Sequence, residues 1–369
     1  MSNFTANRMS LIDASGIRKV FDLAANLKDP INFSIGLPDF DVPQPIKDSA
    51  CKAIQEGKNR YSLTAGIPEL REKLAALVAA EYGWDKANVL VASGVSGALL
   101  LLFMAAINPG DEVIVADPYF VIYKQIINLI GGKCVYLDTY PDFTIKPEKL
   151  EALITDKTRL LVLNSPSNPT GTVYTDEQVR AVAEVAKKHN ILVMSDEIYD
   201  KFCYIDRCPS IASYYENTVV MKGFSKSYAM TGWRMAYIAV PDCLAGLLNE
   251  MIKLQQYTFV CAPTPFQYAA IDALDCDVSD YVRAYARKRD MLYDGLKDNF
   301  DIIKPEGAFY MFVGVRGMSS TDFVKKAIDN NVLVIPGNVF SERDTHFRLS
   351  YATTDEKVKQ GIDILNSIA

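Results

Sequence analysis

Short apolar runs rich in valine, isoleucine and leucine alternate with longer helical patterns through the middle of the chain. Asn88–Ala92 (NVLVA) predicts a strand, followed by Gly94 and an apolar helix over Ala98–Ile107. Glu112–Ala116 (EVIVA) predicts a second strand, followed by a helical stretch over Tyr119–Ile130, and Arg159–Asn164 (RLLVLN) a third. Asp176–His189 is amphipathic, with Val179, Val182, Ala183 and Ala186 on one helical face. Ile191–Ser195, Thr218–Lys222 and Ala236–Val240 read as three further strands. Unbroken aliphatic runs separated by helices predict strands buried on both faces of a mainly parallel sheet, an α/β arrangement.

The tail has a different texture. A long charged helix over Arg283–Phe300 precedes short strands at Ala308–Val313, Val332–Ile335 and Phe347–Tyr351, and Thr354–Ile368 predicts a closing helix. Pro30, Pro38, Pro43 and Pro45 keep the first segment out of the sheet pattern. At about 150 residues per domain, 369 residues suggest two units. The boundaries expected are a large domain at 46–282 and a small α+β domain from 1–45 with 283–369.

Composition removes several functions. A net charge of −6 gives no basic surface for nucleic acid. The longest apolar run, Ala98–Ile107, is about half of the ~20 residues a membrane span needs. The opening MSNFTANRMSL lacks the basic-then-apolar pattern of a secretion signal, so a cytoplasmic chain is expected. The 7 cysteines are scattered without a C-x-x-C pair and read as reduced, mostly buried thiols. Most informative are the 2 histidines, His189 and His346. They cannot furnish a His-rich metal site, no metal is expected, and an enzyme built on this chain needs a proton carrier other than imidazole.

Open α/β sheets bind ligands at the carboxyl ends of their strands. Those ends carry Ser93-Gly94-Val95-Ser96-Gly97, Asp117-Pro118-Tyr119-Phe120, Ser165 to Gly171 (SPSNPTG), Asp196-Glu197-Ile198-Tyr199 and Gly223-Phe224-Ser225-Lys226. A glycine turn opening a helix can cradle a phosphate on free backbone N–H groups. It is not the G-x-G-x-x-G of a nicotinamide site, although Asp117 closes the following strand. Taken singly, Lys226 reads as a solvated loop lysine or a desolvated nucleophilic amine, Asp196 as a cap or buried acceptor, and Asn168-Pro-Thr-Gly as a turn.

Together the motifs resemble the class I/II aminotransferases, the fold-type I enzymes that use pyridoxal 5′-phosphate. The ordered series is SIGLPDF at 34–40, RYSLTAGIPELR at 60–71, ASGVSGAL at 92–99, PGDEVIVADPYFVIY at 109–123, NSPSNPTG at 164–171, SDEIYD at 195–200, GFSKSYAMTGWRMAY at 223–237, PEGAFYMF at 305–312 and FRLSYA at 347–352. The resemblance spans nearly the whole chain and is strongest toward aspartate and aromatic aminotransferases. It implies a large domain with a mostly parallel seven-stranded sheet. It also implies Lys226 as the Schiff-base residue and proton shuttle, and Asp196 as partner of the pyridinium nitrogen. Tyr199 and Asn168 would bind the ring's 3-oxygen, and Phe120 would stack on the ring. Val95, Ser96 and Arg234 would hold the phosphate. Where relatives often carry a hydroxyl three residues before the lysine, this chain has Gly223, so that phosphate contact is either missing or supplied by Ser225. Tyr61 would reach the phosphate of a partner subunit, implying a homodimer with shared sites. Arg348 would clamp the substrate α-carboxylate, with the Gly36 backbone and Asn168 alongside. The implied reaction is ping-pong transfer of an amino group from an L-amino acid to a 2-oxo acid. A C–S β-lyase or related enzyme of the same fold is the alternative, and a non-catalytic amino-acid-binding regulator the remote one. For a distal substrate carboxylate the candidate cations are Lys124 and Arg18. The segment Ser15-Gly16-Ile17 would fold over the substrate, and Tyr119, Tyr123, Tyr257 and Phe259 would line the pocket. His189 and His346 read as structural.

Overall fold

The computed structural model describes residues 4–14, 16–17, 20 and 27–369. In chain order the strands are β1 (Ile31–Asn32), β2 (Ala87–Ser93), β3 (Glu112–Asp117), β4 (Lys133–Asp138), β5 (Thr158–Asn164), β6 (Leu192–Asp196), β7 (Thr218–Gly223) and β8 (Met235–Pro241). Then follow β9 (Asp301–Ile302), β10 (Tyr310–Gly314), β11 (Val332–Leu333), β12 (Ile335–Pro336) and β13 (His346–Ser350). Seven form one sheet in the order β2-β8-β7-β6-β5-β3-β4. Within it β8 runs antiparallel to both β2 and β7, while β7-β6-β5-β3-β4 are parallel.

The aliphatic strands are buried on both faces. On β5, Leu160 and Val162 join one core with Leu99 and Leu102 of the helix Gly94–Ala106. The alternate residues Leu161 and Leu163 join another with Val179, Val182 and Ala186 of the helix Asp176–Lys188. This is the two-residue alternation of a strand placed between helix layers. The second helix starts on a reciprocal cap in which Thr175 and Gln178 satisfy each other's backbone N–H.

The tail builds a four-stranded antiparallel sheet, β12-β13-β10-β9, and β1 pairs with β11 in parallel. Phe33 shares a core with Phe309, Phe347 and Leu349, so an early segment packs on the tail.

Several expectations are corrected. The strand β4 was not predicted by pattern. It is a sheet edge, partly exposed along most of its length, and its apolar run is only Cys134–Leu137, mixed in type and closed by Lys133 and Asp138. The stretch Val332–Ile335 is two strands in different sheets, because the chain turns from β1 toward β13. The helix read at Tyr119–Ile130 begins at Ile122, and the one read at Arg283–Phe300 spans Ser279–Leu296. The cysteines are not all reduced thiols. Cys203 and Cys208 form a disulfide across a loop that folds back on itself, their Cα atoms 6.0 Å apart. Of the others, Cys51 and Cys243 are exposed and Cys134, Cys261 and Cys276 partly so. Among the described residues no helix is long and apolar enough to cross a membrane.

Candidate active site

The carboxyl ends of β3, β5, β6 and β7 share one edge, where a cavity of about 360 Å³ opens. Gly36, Val95, Ser96, Phe120, Asn168, Asp196, Tyr199, Ser225, Lys226, Arg234 and Arg348 all line it. Residues from seven separate stretches thus meet: strand ends of the large sheet deliver five to one side, and Gly36 and Arg348 come from outside that sheet.

Lys226 stands in the short helical turn Phe224–Ser227 that follows β7. Its Nζ donates to the Gly36 carbonyl oxygen at 2.5 Å. Burial, then the nearby cations Arg348 and Arg234, pull the ammonium down to about 8, so a neutral amine is accessible. Asp196 ends β6 and is fully enclosed. The Tyr123 hydroxyl donates to its Oδ2 at 2.6 Å, and the Ile198 N–H to its Oδ1 at 3.2 Å. Burial, opposed by the Tyr123 hydrogen bond, pushes this carboxyl up to about 6.

Arg348 projects from β13 and is 1% exposed. Its Nη1 donates to Asn168 Oδ1 at 3.1 Å and its Nη2 to the Ser34 carbonyl at 2.8 Å. The guanidinium lies between two rings, 4.6 Å from Tyr310 and 4.5 Å from Phe340. Nε has no partner among the described residues. A buried cation with an unused donor suits an incoming anion.

Val95 and Ser96 sit in the first turn of the helix Gly94–Ala106, whose leading N–H groups are open to an anion. Gly94 has φ +72°, and a Cβ there would overlap the Arg234 guanidinium, so glycine lets Arg234 lie against the turn. Asn164 orients its neighbours: its side chain donates to the Asp196 carbonyl at 2.9 Å and accepts from the Asn168 N–H at 2.8 Å.

Other predicted residues lie elsewhere. Tyr61 is 83% exposed and does not line this cavity. Lys124 is held by Glu342 at 2.9 Å and faces a separate cavity. Of the four aromatics expected in the pocket, Tyr123 lines it; Tyr119, Tyr257 and Phe259 do not. Ile17 is at the cavity, whereas Ser15 and Arg18 lie outside the described residues. His189 Nε2 lies 2.9 Å from Glu151, and His346 stacks on Phe312, where burial pulls it down to about 4. The sequence reading assigned no role to Tyr310, to Asn164 or to Tyr123 as the donor to Asp196. Each falls inside a motif already noted; Tyr310 and Tyr123 meet partners 111 and 73 positions away, and Asn164 bridges Asn168 within its own motif to Asp196.

An enclosed amine of lowered basicity, a buried carboxylate and a buried guanidinium line one cavity beside an uncapped helix start. Such a set can move protons without imidazole and can receive anions. The chain matches the family model for aminotransferase class I and II over residues 28–365. It is 42% identical, over 98% of its length and 99% of the relative's, to a probable aspartate aminotransferase of Methanocaldococcus jannaschii. It is 35% identical to aromatic-amino-acid aminotransferase 2 of Thermococcus litoralis, over 98% of this chain and 97% of that one. Its fold superposes on the aspartate aminotransferase of Thermus thermophilus solved with maleate, with TM-score 0.94, 33% identity and 99% of each chain covered. The chain belongs to the class I and II aminotransferase family.

Proposed function

We propose that this enzyme transfers the amino group of L-aspartate to a 2-oxo acid with pyridoxal 5′-phosphate as its cofactor. The observation that carries the proposal is the single cavity in which the Lys226 amine, the Asp196 carboxylate and the Arg348 guanidinium meet. The residues fit the cofactor. An amine whose basicity is lowered to about 8 suits its aldehyde, an enclosed carboxylate its ring nitrogen, and the Val95–Ser96 turn with Arg234 its phosphate. The Phe120 ring supplies an apolar face, and Tyr199 and Asn168 polar atoms for the ring oxygen.

When bound, the cofactor supplies an electron sink that makes the Cα proton of an amino acid acidic. Lys226 Nζ would hold the cofactor at its aldehyde carbon and, when free, would take the Cα proton of the substrate and return it. The enclosed Asp196 carboxylate would pair with the ring nitrogen and favour its protonated form, which sustains the sink. Arg348 receives the α-carboxylate on its free donor edge and presents the Cα–H bond to Lys226. Amino-group exchange with a second acid through the same site gives ping-pong kinetics.

Aspartate is favoured by the relatives named for it. A second reading, an aromatic or aliphatic donor, is favoured by the cavity wall. Among the described residues its cations are Lys226, Arg234 and Arg348, each already occupied, and Ile17 and Leu37 are apolar. A panel of amino donors against 2-oxoglutarate, pyruvate and oxaloacetate separates these. Pyruvate and ammonia released from a cysteine conjugate without amino transfer would point to the β-lyase instead. Borohydride reduction of the holoenzyme is expected to fix the cofactor on Lys226; a peptide map placing it elsewhere ends the proposal.

The proposal includes a cytoplasmic homodimer in which Tyr61 reaches the neighbouring site, in keeping with its exposure. It also includes a division into 46–282 and 1–45 with 283–369, supported by the core that Phe33 shares with the tail.

A further inference from the structure

The roles above leave the enclosed phenol of Tyr310 unused. Tyr310, on β10, is 1% exposed and lines the cavity. Its hydroxyl lies 2.9 Å from the Tyr199 hydroxyl. The two rings meet edge-on, centroids 5.6 Å apart at 87°. Its face carries the Arg348 guanidinium at 4.6 Å, with Phe340 closing the other side. A Cβ at residue 36 would overlap the Tyr310 hydroxyl, so glycine at that position is a requirement of this tyrosine.

We propose that Tyr310 is a positioning residue: its hydroxyl orients the Tyr199 phenol, its ring holds Arg348 in register, and its bulk fixes glycine at 36. This rests on the proposed function and extends it to a residue outside the set that touches the reacting atoms.

Both phenols are held above their ordinary titration range by burial, so each keeps its single proton. Two phenols 2.9 Å apart share one hydrogen bond. If Tyr199 spent its proton on Tyr310, it would have none to donate into the cavity. With Tyr310 donating to Tyr199, the Tyr199 O–H points to the cavity and is strengthened as a donor by the bond it receives. The ionisable groups facing Tyr199 are Tyr310 from β10, Arg348 from β13 and Asp196 from β6, and Lys226 lines the same cavity. A stronger donor at the cofactor's ring oxygen favours its anionic form, which lowers the pH at which the bound cofactor loses a proton.

Tyr310→Phe removes the hydroxyl and keeps the ring. The midpoint pH of the bound cofactor's absorbance change is expected to rise by about half a unit or more. With it kcat should fall about tenfold, while KM for the amino donor stays within about twofold. Tyr310→Leu removes the ring as well, and KM for the donor should then also rise about tenfold. Gly36→Ala should impair cofactor-dependent turnover in the parent enzyme and much less in the Tyr310→Phe background, where the clash is gone. A Tyr310→Phe enzyme with the parental absorbance midpoint and kcat would overturn the proposal. So would equal losses in the Phe and Leu variants with no shift in midpoint, the signature of a merely structural side chain. Failure of the parent itself to bind pyridoxal 5′-phosphate or to transaminate would instead strike the proposed function.

Discussion

Lys226 carries a cost that the fold accepts for reactivity. Its ammonium must be desolvated beside Arg348 and Arg234, and its ordinary value near 10.5 falls to about 8. Below about pH 8 the folded, cofactor-free protein holds an unfavourable charge; between about 8 and 10.5 that penalty is relieved as the amine loses its proton. Lys226→Met is therefore expected to raise the melting temperature of the cofactor-free protein at pH 7 while abolishing turnover. The gain should shrink as the pH approaches 10, measured by calorimetry across pH. Arg348→Lys keeps the charge but loses the two-pronged donor edge. It is expected to raise KM for the amino donor by about 1.5–3 kcal/mol in binding terms, with stability little changed. These identities were legible in the chain because the residues sit in motifs. The partners were not: Tyr310 meets Tyr199 from more than a hundred positions away, and nothing in either local pattern marks the pair.

At the level of elements, the strand ends carrying Asp196 and Lys226 are fastened from behind by a second group of charges. On the face of β7 away from the cavity, Lys222 is enclosed. Its Nζ lies 2.7 Å from Glu81, 3.1 Å from Asp200 and 3.5 Å from Glu197. Glu197 also accepts from Tyr82 at 2.6 Å and from Ser195 at 2.8 Å. This joins β6 and β7 to the helix Pro68–Tyr82. Lys222→Met leaves Glu197 enclosed without its cation, and a loss of about 3–5 kcal/mol in denaturant unfolding is expected. Gly94 offers a second test. Alanine there would meet a positive φ and the Arg234 side chain together, so Gly94→Ala should weaken cofactor affinity at least tenfold by equilibrium titration. The central strands announced themselves through continuous aliphatic runs. The edge strand β4 did not: its run Cys134–Leu137 is short and not purely aliphatic, and at the sheet edge it stays partly exposed.

For the whole molecule, the exposed Tyr61, Leu63 and Tyr257 gain a purpose if two chains share their sites. Sedimentation of the holoenzyme is expected to give twice the 41.0 kDa of one chain. Inactive Lys226→Ala and Tyr61→Ala chains, unfolded together and refolded, should recover about a quarter of parental activity. Half the dimers would be mixed, and each would hold one intact site; no recovery would mean that Tyr61 does not act on its neighbour. Taken by itself, the sequence determined the α/β class, the scarcity of imidazole, the identity of the amine, carboxylate and guanidinium, and the family they resemble. Periodicity and motif are local properties that survive in a linear string. Only the tertiary structure decided which way Arg348 points, that Lys124 is spent on Glu342, that Cys203 and Cys208 pair, and that Tyr310 stands between Tyr199 and Gly36. Apart from the local Cys203–Cys208 pair, five residues apart, each of those is a contact across long chain separation, set by how the sheets pack and by which polar groups burial forces to find a partner.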